Sequence, residues 1–304
     1  MAAFMTVIEA ENLHKDYPGC AGALSGASIS ACAGEAIAIV GANGSGKSTL
    51  FKCLLGLVPP DSGSVRIFGQ VPAGRGRSVL SRVGALLEGR ANLYERLSIA
   101  ENCDYYCALR GFAVNRLYML TLADRLGLVD LRVPVRRLST GNRQRAALLC
   151  AMVHQPALLM LDEPTLGLDR EGVLALQALL REQQQRGVTV LTISHDAAFV
   201  AAAADRVIGM VAGRWGFERG GCRLQGPSQR FRLLVGATQP LPADVSAQLV
   251  DSGSFSEQLL RLQELARLYP DICQASIHPV LGLDLEAALK EAKVNGPPRM
   301  GPAE

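Results

Sequence analysis

The first 215 or so residues switch repeatedly between two spacings of apolar positions. Short, unbroken apolar runs at 36–40, 157–161 and 188–193 are typical of strands that are covered on both faces. Apolar positions three and four apart at 48–55 and 117–126 predict amphipathic helices. Strands that alternate with helices form mostly parallel sheets, so this part of the chain is predicted to have an α/β fold.

Further strands are predicted at 7–13, 24–31 and 65–68. The sequence Ser98-Ile99-Ala100-Glu101 is a capping box, which predicts a helix that begins there and ends near Leu109, before Gly111. Gly56 is placed to end the helix at 48–55.

The character of the chain changes near Gly213, where glycine-rich loops begin. We expect one domain over 1–215, a small α+β appendage over 216–294, and a disordered tail over 295–304, which holds three Pro and two Gly. The appendage is predicted to contain strands at 231–235 and 275–278 and helices at 243–250, 256–268 and 285–292.

Composition narrows the classes of protein to which this chain can belong. A chain of 304 residues with 49% hydrophobic and 19% charged residues is globular, and a net charge of +3 does not suit a general nucleic-acid binder. No window reaches the eighteen or so uncharged apolar residues of a membrane span, and no secretory leader is visible. The eight Cys include no C-x-x-C pair, so we expect reduced thiols and a cytoplasmic protein.

A glycine-rich loop between a predicted strand and a predicted helix is the first segment that indicates a chemical function. The segment 41–48, GANGSGKS, fits the pattern G-x-x-x-x-G-K-[ST]. Glycines let backbone N–H groups surround phosphates, and the helix N-terminus favours the same anion. The alternative is an ordinary glycine-rich turn. We predict a nucleoside triphosphate site formed by Gly41, Asn43, Gly44, Ser45, Gly46, Lys47, Ser48 and Thr49.

Two carboxylates follow the apolar run at 157–161. Asp162, at the strand end, is suited to hold Mg²⁺ together with the Ser48 hydroxyl. Glu163 should point the other way along the pleat, where it can reach an attacking water. A solvated strand end is the alternative interpretation of this pair.

The order of these motifs resembles that of the ATP-binding subunits of ATP-binding cassette (ABC) transporters. The resemblance rests on Tyr17, the phosphate loop, the Leu-Ser-Thr-Gly segment 138–141, the Asp-Glu-Pro segment 162–164, the Leu-Gly-Leu-Asp segment 166–169 and the Ser-His pair 194–195. It covers about residues 5–215. It implies a P-loop NTPase domain of the ABC ATPase type with a helical subdomain at about 88–155, and ATP and Mg²⁺ as cofactors.

The resemblance also implies roles for single residues. Tyr17 would stack on the adenine, Glu163 would be the general base, and His195 would contact the γ-phosphate. A strand-end tyrosine and a core histidine are the alternatives for the first and the last.

Three further residues would act across a homodimer that sandwiches two ATP molecules. Ser139 and Gly141 would contact the nucleotide bound to the opposite subunit, and Asp169 would link the two sites.

Two positions depart from the family pattern. Glu88 stands where most members have Gln; a carboxylate there can strengthen ligation of Mg²⁺ but cannot donate a hydrogen bond. The family's signature segment, here Ser-Thr-Gly-Asn at 139–142, has Thr140 and Asn142 where Gly and Gln are commoner. Glu88 resembles exporters of the lantibiotic-immunity and bacitracin-resistance kind, and the segment 139–142 resembles drug- and polysaccharide-type exporters. The chain as a whole therefore resembles an exporter-type ATPase of the drug, lantibiotic-immunity or nitrous-oxide-reductase-maturation kind.

The resemblance implies partners as well as chemistry. We expect separate permease subunits, no nucleic acid, and a position on the inner face of the cell membrane through the permease. The segment 88–116, with its aromatic residues, is the expected place for the permease to dock, although a buried subdomain core explains these aromatics equally well. The alternative function is a soluble ABC ATPase that assembles or matures a protein complex.

Overall fold

A computed structural model describes residues 5–72, 77–87, 93–219, 231–237 and 272–279. The strands are β1 Thr6–Tyr17, β2 Cys20–Cys32, β3 Ala36–Val40, β4 Ser62–Ile67, β5 Val83–Leu86, β6 Leu158–Asp162, β7 Thr189–Ile193, β8 Arg206–Val211, β9 Arg214–Arg219, β10 Phe231–Ala237 and β11 Ile272–Pro279. The helices are α1 Lys47–Leu54, α2 Arg77–Leu80, α3 Ile99–Leu109, α4 Arg116–Arg125, α5 Thr140–Met152, α6 Arg170–Gln185 and α7 Ala197–Ala203, with a 3₁₀ turn at Val135–Arg137.

A six-stranded sheet forms the centre of the fold, in the order β5-β6-β7-β3-β8-β9. Its strands pair in parallel except for β8 and β9, which form an antiparallel hairpin. Every residue of β3, β6 and β7 is buried, as their unbroken apolar sequences predict. The predicted α/β fold with a mostly parallel sheet is confirmed. The carboxyl ends of β3, β6 and β7 lie side by side.

A second sheet of three antiparallel strands, in the order β2-β1-β4, covers one side of the molecule. Its apolar side chains pack with α1 and the central sheet in one core, which includes Ile8, Leu24, Ile39, Phe51 and Met160. This core fixes α1, and with it the loop that precedes α1.

Helices α3, α4 and α5 pack together with α6 and α7 in a second core, which includes Cys103, Leu122 and Leu148 and reaches Leu161 of β6. The predicted capping box is present: Ser98 Oγ accepts a hydrogen bond from the Glu101 N–H, and Glu101 Oε2 accepts one from the Ser98 N–H at 2.7 Å. Helices α3, α4 and α5 lie within the predicted helical subdomain.

Several boundaries differ from the sequence prediction. The strand predicted at 24–31 runs from Cys20 to Cys32, because shifts in the register with β1 let pairing continue past Gly22 and Gly26, whose φ values are +71° and +85°. The helix predicted at 48–55 is Lys47–Leu54, and Gly56 follows it with φ +68°. Helices α6 and α7 and the hairpin β8–β9 were not predicted.

The two predicted strands of the appendage are confirmed as β10 and β11, which pair with each other in antiparallel fashion. The predicted helices at 243–250, 256–268 and 285–292, and the tail at 295–304, lie outside the described residues. Strand β9 crosses the expected domain boundary at residue 215. Within the described ranges, no helix is long and apolar enough to cross a bilayer.

Candidate active site

The loop from β3 to α1 contains three glycines with positive φ, and at two of them a side chain has no room. Gly41, Gly44 and Gly46 have φ values of +154°, +80° and +102°. A Cβ on Gly41 would overlap the carbonyl oxygen of Met210, and a Cβ on Gly46 would overlap that of Ala23. The loop is therefore a backbone cradle held against neighbouring backbone, as phosphate binding requires.

Lys47 is the first residue of α1 and is only 6% exposed. Its Nζ donates hydrogen bonds to the carbonyl oxygens of Gly41 and Ala42, both at 2.8 Å. The ammonium group is thus held close to the start of the loop, beside the positive end of the α1 dipole. Both charges favour an anion in the cradle.

An oxygen pair at the start of α1 and the end of β6 fits a magnesium ion. Ser48 Oγ donates to Asp162 Oδ2 at 3.2 Å, and Asp162 is 3% exposed. Hard oxygen ligands from one or two side chains, completed by phosphates and water, are what Mg²⁺ takes in phosphoryl-transfer sites. The described part of the chain holds no cluster of three or more His, Cys, Asp or Glu suited to a metal. Glu88, the third predicted ligand, lies outside the described residues.

Glu163 follows β6 in a left-handed conformation, with φ +48°. The reason that the sequence suggested for its direction, alternation along the pleat, is wrong, because β6 ends at Asp162. Instead the Glu163 N–H donates to the carbonyl oxygen of Ile193 at 2.9 Å. Such a backbone is costly for a residue other than glycine and is typical of functional sites.

The Glu163 carboxylate faces His195, which follows β7. The His195 backbone N–H donates to Oε2 of Glu163 at 3.3 Å, and His195 Nε2 lies 3.4 Å from Oε1. The Glu163 side chain is 14% exposed and that of His195 41% exposed. A carboxylate that contacts an imidazole at the mouth of a cavity can position a water and accept its proton.

Tyr17 ends β1 and is half-buried, with the Lys15 ammonium 5.8 Å from its ring centre. Lys15 in turn donates to Asp61 at 2.6 Å, and this hydrogen bond lowers the pKa of the Asp61 carboxyl. The pair fixes the stem of the β1–β2 hairpin from which Tyr17 projects.

These groups converge on one cavity of about 430 Å³, a volume in the range of small-molecule sites. The predicted residues Gly41 and Ser45 belong to the loop that forms one wall. The cavity is lined by Tyr17, Ala23, Asn43, Gly44, Gly46, Lys47, Ser48, Thr49, Asp162, Glu163, Ile193 and His195.

The remaining predicted residues do not line this cavity. Ser139 is the N-cap of α5, where its Oγ accepts from the Asn142 N–H at 3.3 Å, and it is exposed. A Cβ on Gly141 would lie 2.7 Å from the carbonyl oxygen of Gly167. Asp169 is the N-cap of α6 and accepts from the Gly172 N–H at 2.8 Å.

Two residues of α5 that the sequence pattern did not indicate connect this helix to Glu163 and Asp169. Gln144 Nε2 donates to the carbonyl oxygens of Glu163 and Pro164, both at 3.2 Å. Arg145 donates to Asp169 Oδ1 at 2.7 Å and to the Leu126 carbonyl oxygen at 2.9 Å. Their position one turn into the helix that Ser139 caps is the sequence feature that could have indicated this role.

The chain is similar to known ATP-binding proteins of transporters. A family model described as ABC transporter matches residues 24–166. The chain is 34% identical to the methionine import ATP-binding protein MetN of Mesorhizobium japonicum, over 80% of this chain and 69% of that protein. It is 33% identical to the lantibiotic transport ATP-binding protein SrtF of Streptococcus pyogenes, over 66% of this chain and 84% of that protein.

A third relative and two solved structures are also ATP-binding proteins of transporters. The phosphonates import ATP-binding protein PhnC of Trichormus variabilis is 36% identical, over 71% of this chain and 93% of its own. An ATP-binding subunit of an ABC transporter superposes with a TM-score of 0.66 at 27% identity, covering 70% of this chain and 90% of that chain. CbiO1 of Clostridium perfringens superposes with a TM-score of 0.60 at 29% identity, covering 70% and 87%.

Proposed function

Since the chain belongs to the ABC transporter family, as an ATP-hydrolysing cassette, we propose that it is the ATPase subunit of an exporter with separate permease subunits. The observation that carries the proposal is the single cavity that joins the glycine cradle, Lys47, Asp162, Glu163 and His195. The cassette, expected at 1–215, extends in this proposal to Arg219, because β9 belongs to the central sheet, and the accessory domain covers the rest of 216–294.

The polar groups and the aromatic ring of the cavity have the following roles in this proposal. The loop N–H groups and Lys47 bind the β- and γ-phosphates, and Ser48 and Asp162 hold Mg²⁺. Tyr17 stacks on the adenine. Glu163 accepts the proton of the attacking water, and His195, in contact with that carboxylate, orients the water at the γ-phosphate.

The second half of each site comes from another copy of the chain. Ser139 and Gly141 open α5, a helix of thirteen residues whose N-terminus is exposed outside the chain's own cavity. In a nucleotide-sandwich homodimer this N-terminus faces the γ-phosphate bound by the partner subunit. Asp169, the N-cap of α6, would link the two sites of that dimer.

The sequence departures and the named relatives point to different directions of transport. The segment 139–142, Glu88 and the lantibiotic relative SrtF support an exporter. An importer is the second candidate, because MetN, PhnC and the cobalt import protein CbiO are named for import. The ATPase chemistry is the same in both.

Removal of the Lys47 ammonium tests the chemistry. Lys47→Ala should abolish ATP hydrolysis by the purified protein, because it deletes the buried charge beside the cradle. Lys52→Ala, an exposed position on the same helix, is the matched control and should retain wild-type turnover. Hydrolysis by Lys47→Ala at the control rate would refute the assignment.

Co-purification tests the transport role. The tagged full chain, expressed in its source organism, should partition with membranes and purify in detergent with a permease of several membrane spans. ATP with inside-out vesicles that contain the complex should then drive solute inward for an exporter and outward for an importer. A chain that stays wholly in the supernatant and purifies with a non-membrane complex would support assembly or maturation instead.

A further inference from the structure

The turn between β8 and β9 lies against the phosphate loop, although no motif marks it. Ala212 and Gly213 form this turn, with φ values of +46° and +74°. The Gly213 N–H donates to the carbonyl oxygen of Ser45 at 2.9 Å, and the Gly213 carbonyl oxygen accepts from the Ser25 N–H at 2.8 Å. Gly213 is buried, and both its polar groups are used in these contacts.

The space around Gly213 has no room for a side chain. A Cβ there would overlap the carbonyl oxygen of Gly22 and lie 3.1 Å from that of Ala23. On the other side, a Cβ on Gly46 would lie 3.4 Å from the Gly213 Cα. The turn, β2 and the phosphate loop therefore meet backbone to backbone at this point.

Strand β2 connects directly to the aromatic side of the cavity. Its first residue, Cys20, pairs with Tyr17 at the end of β1. Gly213 thus bonds on one face to the loop that holds phosphates and on the other to the hairpin that carries Tyr17.

We propose that Gly213 is a positioning residue that sets the distance between the phosphate loop and the hairpin that carries Tyr17. This inference rests on the proposed function, because both surfaces are taken to hold one nucleotide. A side chain at 213 clashes with the β2 backbone and pushes the β8–β9 turn away from it. The hydrogen bond from Gly213 to Ser45 carries this displacement to the phosphate loop, so that the phosphate and adenine contacts cannot form together. Displacement of a positioning group by about 1 Å can lower catalytic efficiency by up to about a hundredfold.

Two alanine variants separate positioning from backbone strain. Gly213→Ala and Gly187→Ala both place alanine at a positive φ, but a Cβ on Gly187, with φ +88°, would meet nothing within 4 Å. Both variants lose thermal stability through this strain, and Gly213→Ala loses more because its Cβ also clashes with β2. Gly213→Ala alone should raise the KM for ATP and lower kcat/KM by about tenfold or more, while Gly187→Ala stays within about twofold of wild type.

A third variant identifies the cause of the loss. Asparagine tolerates positive φ better than alanine, yet it carries the same Cβ. Gly213→Asn should therefore fail like Gly213→Ala. Recovery of the wild-type KM by Gly213→Asn, or equal kinetics for Gly213→Ala and Gly187→Ala, would overturn the inference.

Hydrogen exchange on the unmodified protein gives a test that needs no variant to fold. Addition of ATP with Mg²⁺ should slow amide exchange in peptides that cover 206–215 and 22–25 together with those that cover 41–48. Slower exchange at 41–48 alone would overturn the inference. Absence of ATP hydrolysis by wild type would instead contradict the proposed function.

Discussion

His154, just beyond α5, gives a pH dependence of stability whose sign and size follow from its surroundings. The residue is 9% exposed, and its Nε2 lies 3.2 Å from the carbonyl oxygen of Val83, to which it donates. Burial, with the nearby charge of Arg110, lowers the pKa of the imidazole from 6.5 to about 4. The folded protein therefore holds His154 neutral over a range in which the unfolded chain binds a proton.

The direction of the effect follows from this difference in bound protons. Between about pH 6.5 and pH 4 the unfolded state binds more protons, so the free energy of unfolding rises with pH. The contribution of His154 to the free energy of unfolding is fully present above pH 6.5 and is lost as pH falls toward 4. A difference of about 2.5 pKa units corresponds to about 3 kcal/mol, a large part of the stability of a typical domain.

Urea unfolding at several pH values measures this contribution. His154→Gln keeps an N–H donor for Val83 but does not titrate, so its stability should fall less than that of wild type between pH 7 and pH 4.5. His154→Leu should show the same flattened slope from a lower starting stability, because it leaves the Val83 carbonyl without its donor. Curves for wild type and His154→Gln that run parallel across this range would refute the argument.

Three further outcomes are expected. Glu163→Gln with saturating ATP should form a stable dimer in light scattering; a monomer would contradict the sandwich. Ser98→Ala should lower the free energy of unfolding by about 1 kcal/mol in urea titrations, because it deletes the oxygen that accepts from the Glu101 N–H; an unchanged midpoint would contradict this. Glu88→Gln should leave nucleotide binding intact and shift the Mg²⁺ dependence of hydrolysis; superimposable Mg²⁺ titrations would remove Glu88 from the ligand set.

Features that depend on a few consecutive residues were predictable. The capping box at Ser98 and Glu101 needs only four residues, and the cradle between β3 and α1 needs only eight. The buried strands β6 and β7 follow from unbroken apolar runs, since both faces are covered. In each case the physical cause lies within the segment itself.

Features that depend on distant backbone were not predictable. Glu163 takes its left-handed conformation while its N–H bonds to Ile193, thirty residues further along the chain. Gly213 is constrained by Ser45 and Gly22, far away in sequence. Such positions carry no local pattern, because what restricts them is the approach of another segment after folding.

The contacts of α5 bear on how the two half-sites of the proposed dimer communicate. Gln144 holds the backbone at Glu163, and Arg145 holds Asp169 while it also binds the end of α4. The helix whose N-terminus faces the partner's nucleotide in our proposal is therefore bonded to its own subunit's general base and linking residue. Because Arg145 is only 17% exposed and its space is bounded by Gly127 and Gly172, α5 cannot shift far without moving Asp169. In the proposed dimer, a phosphate that moved one α5 would therefore act on that subunit's own active centre through Gln144 and Arg145.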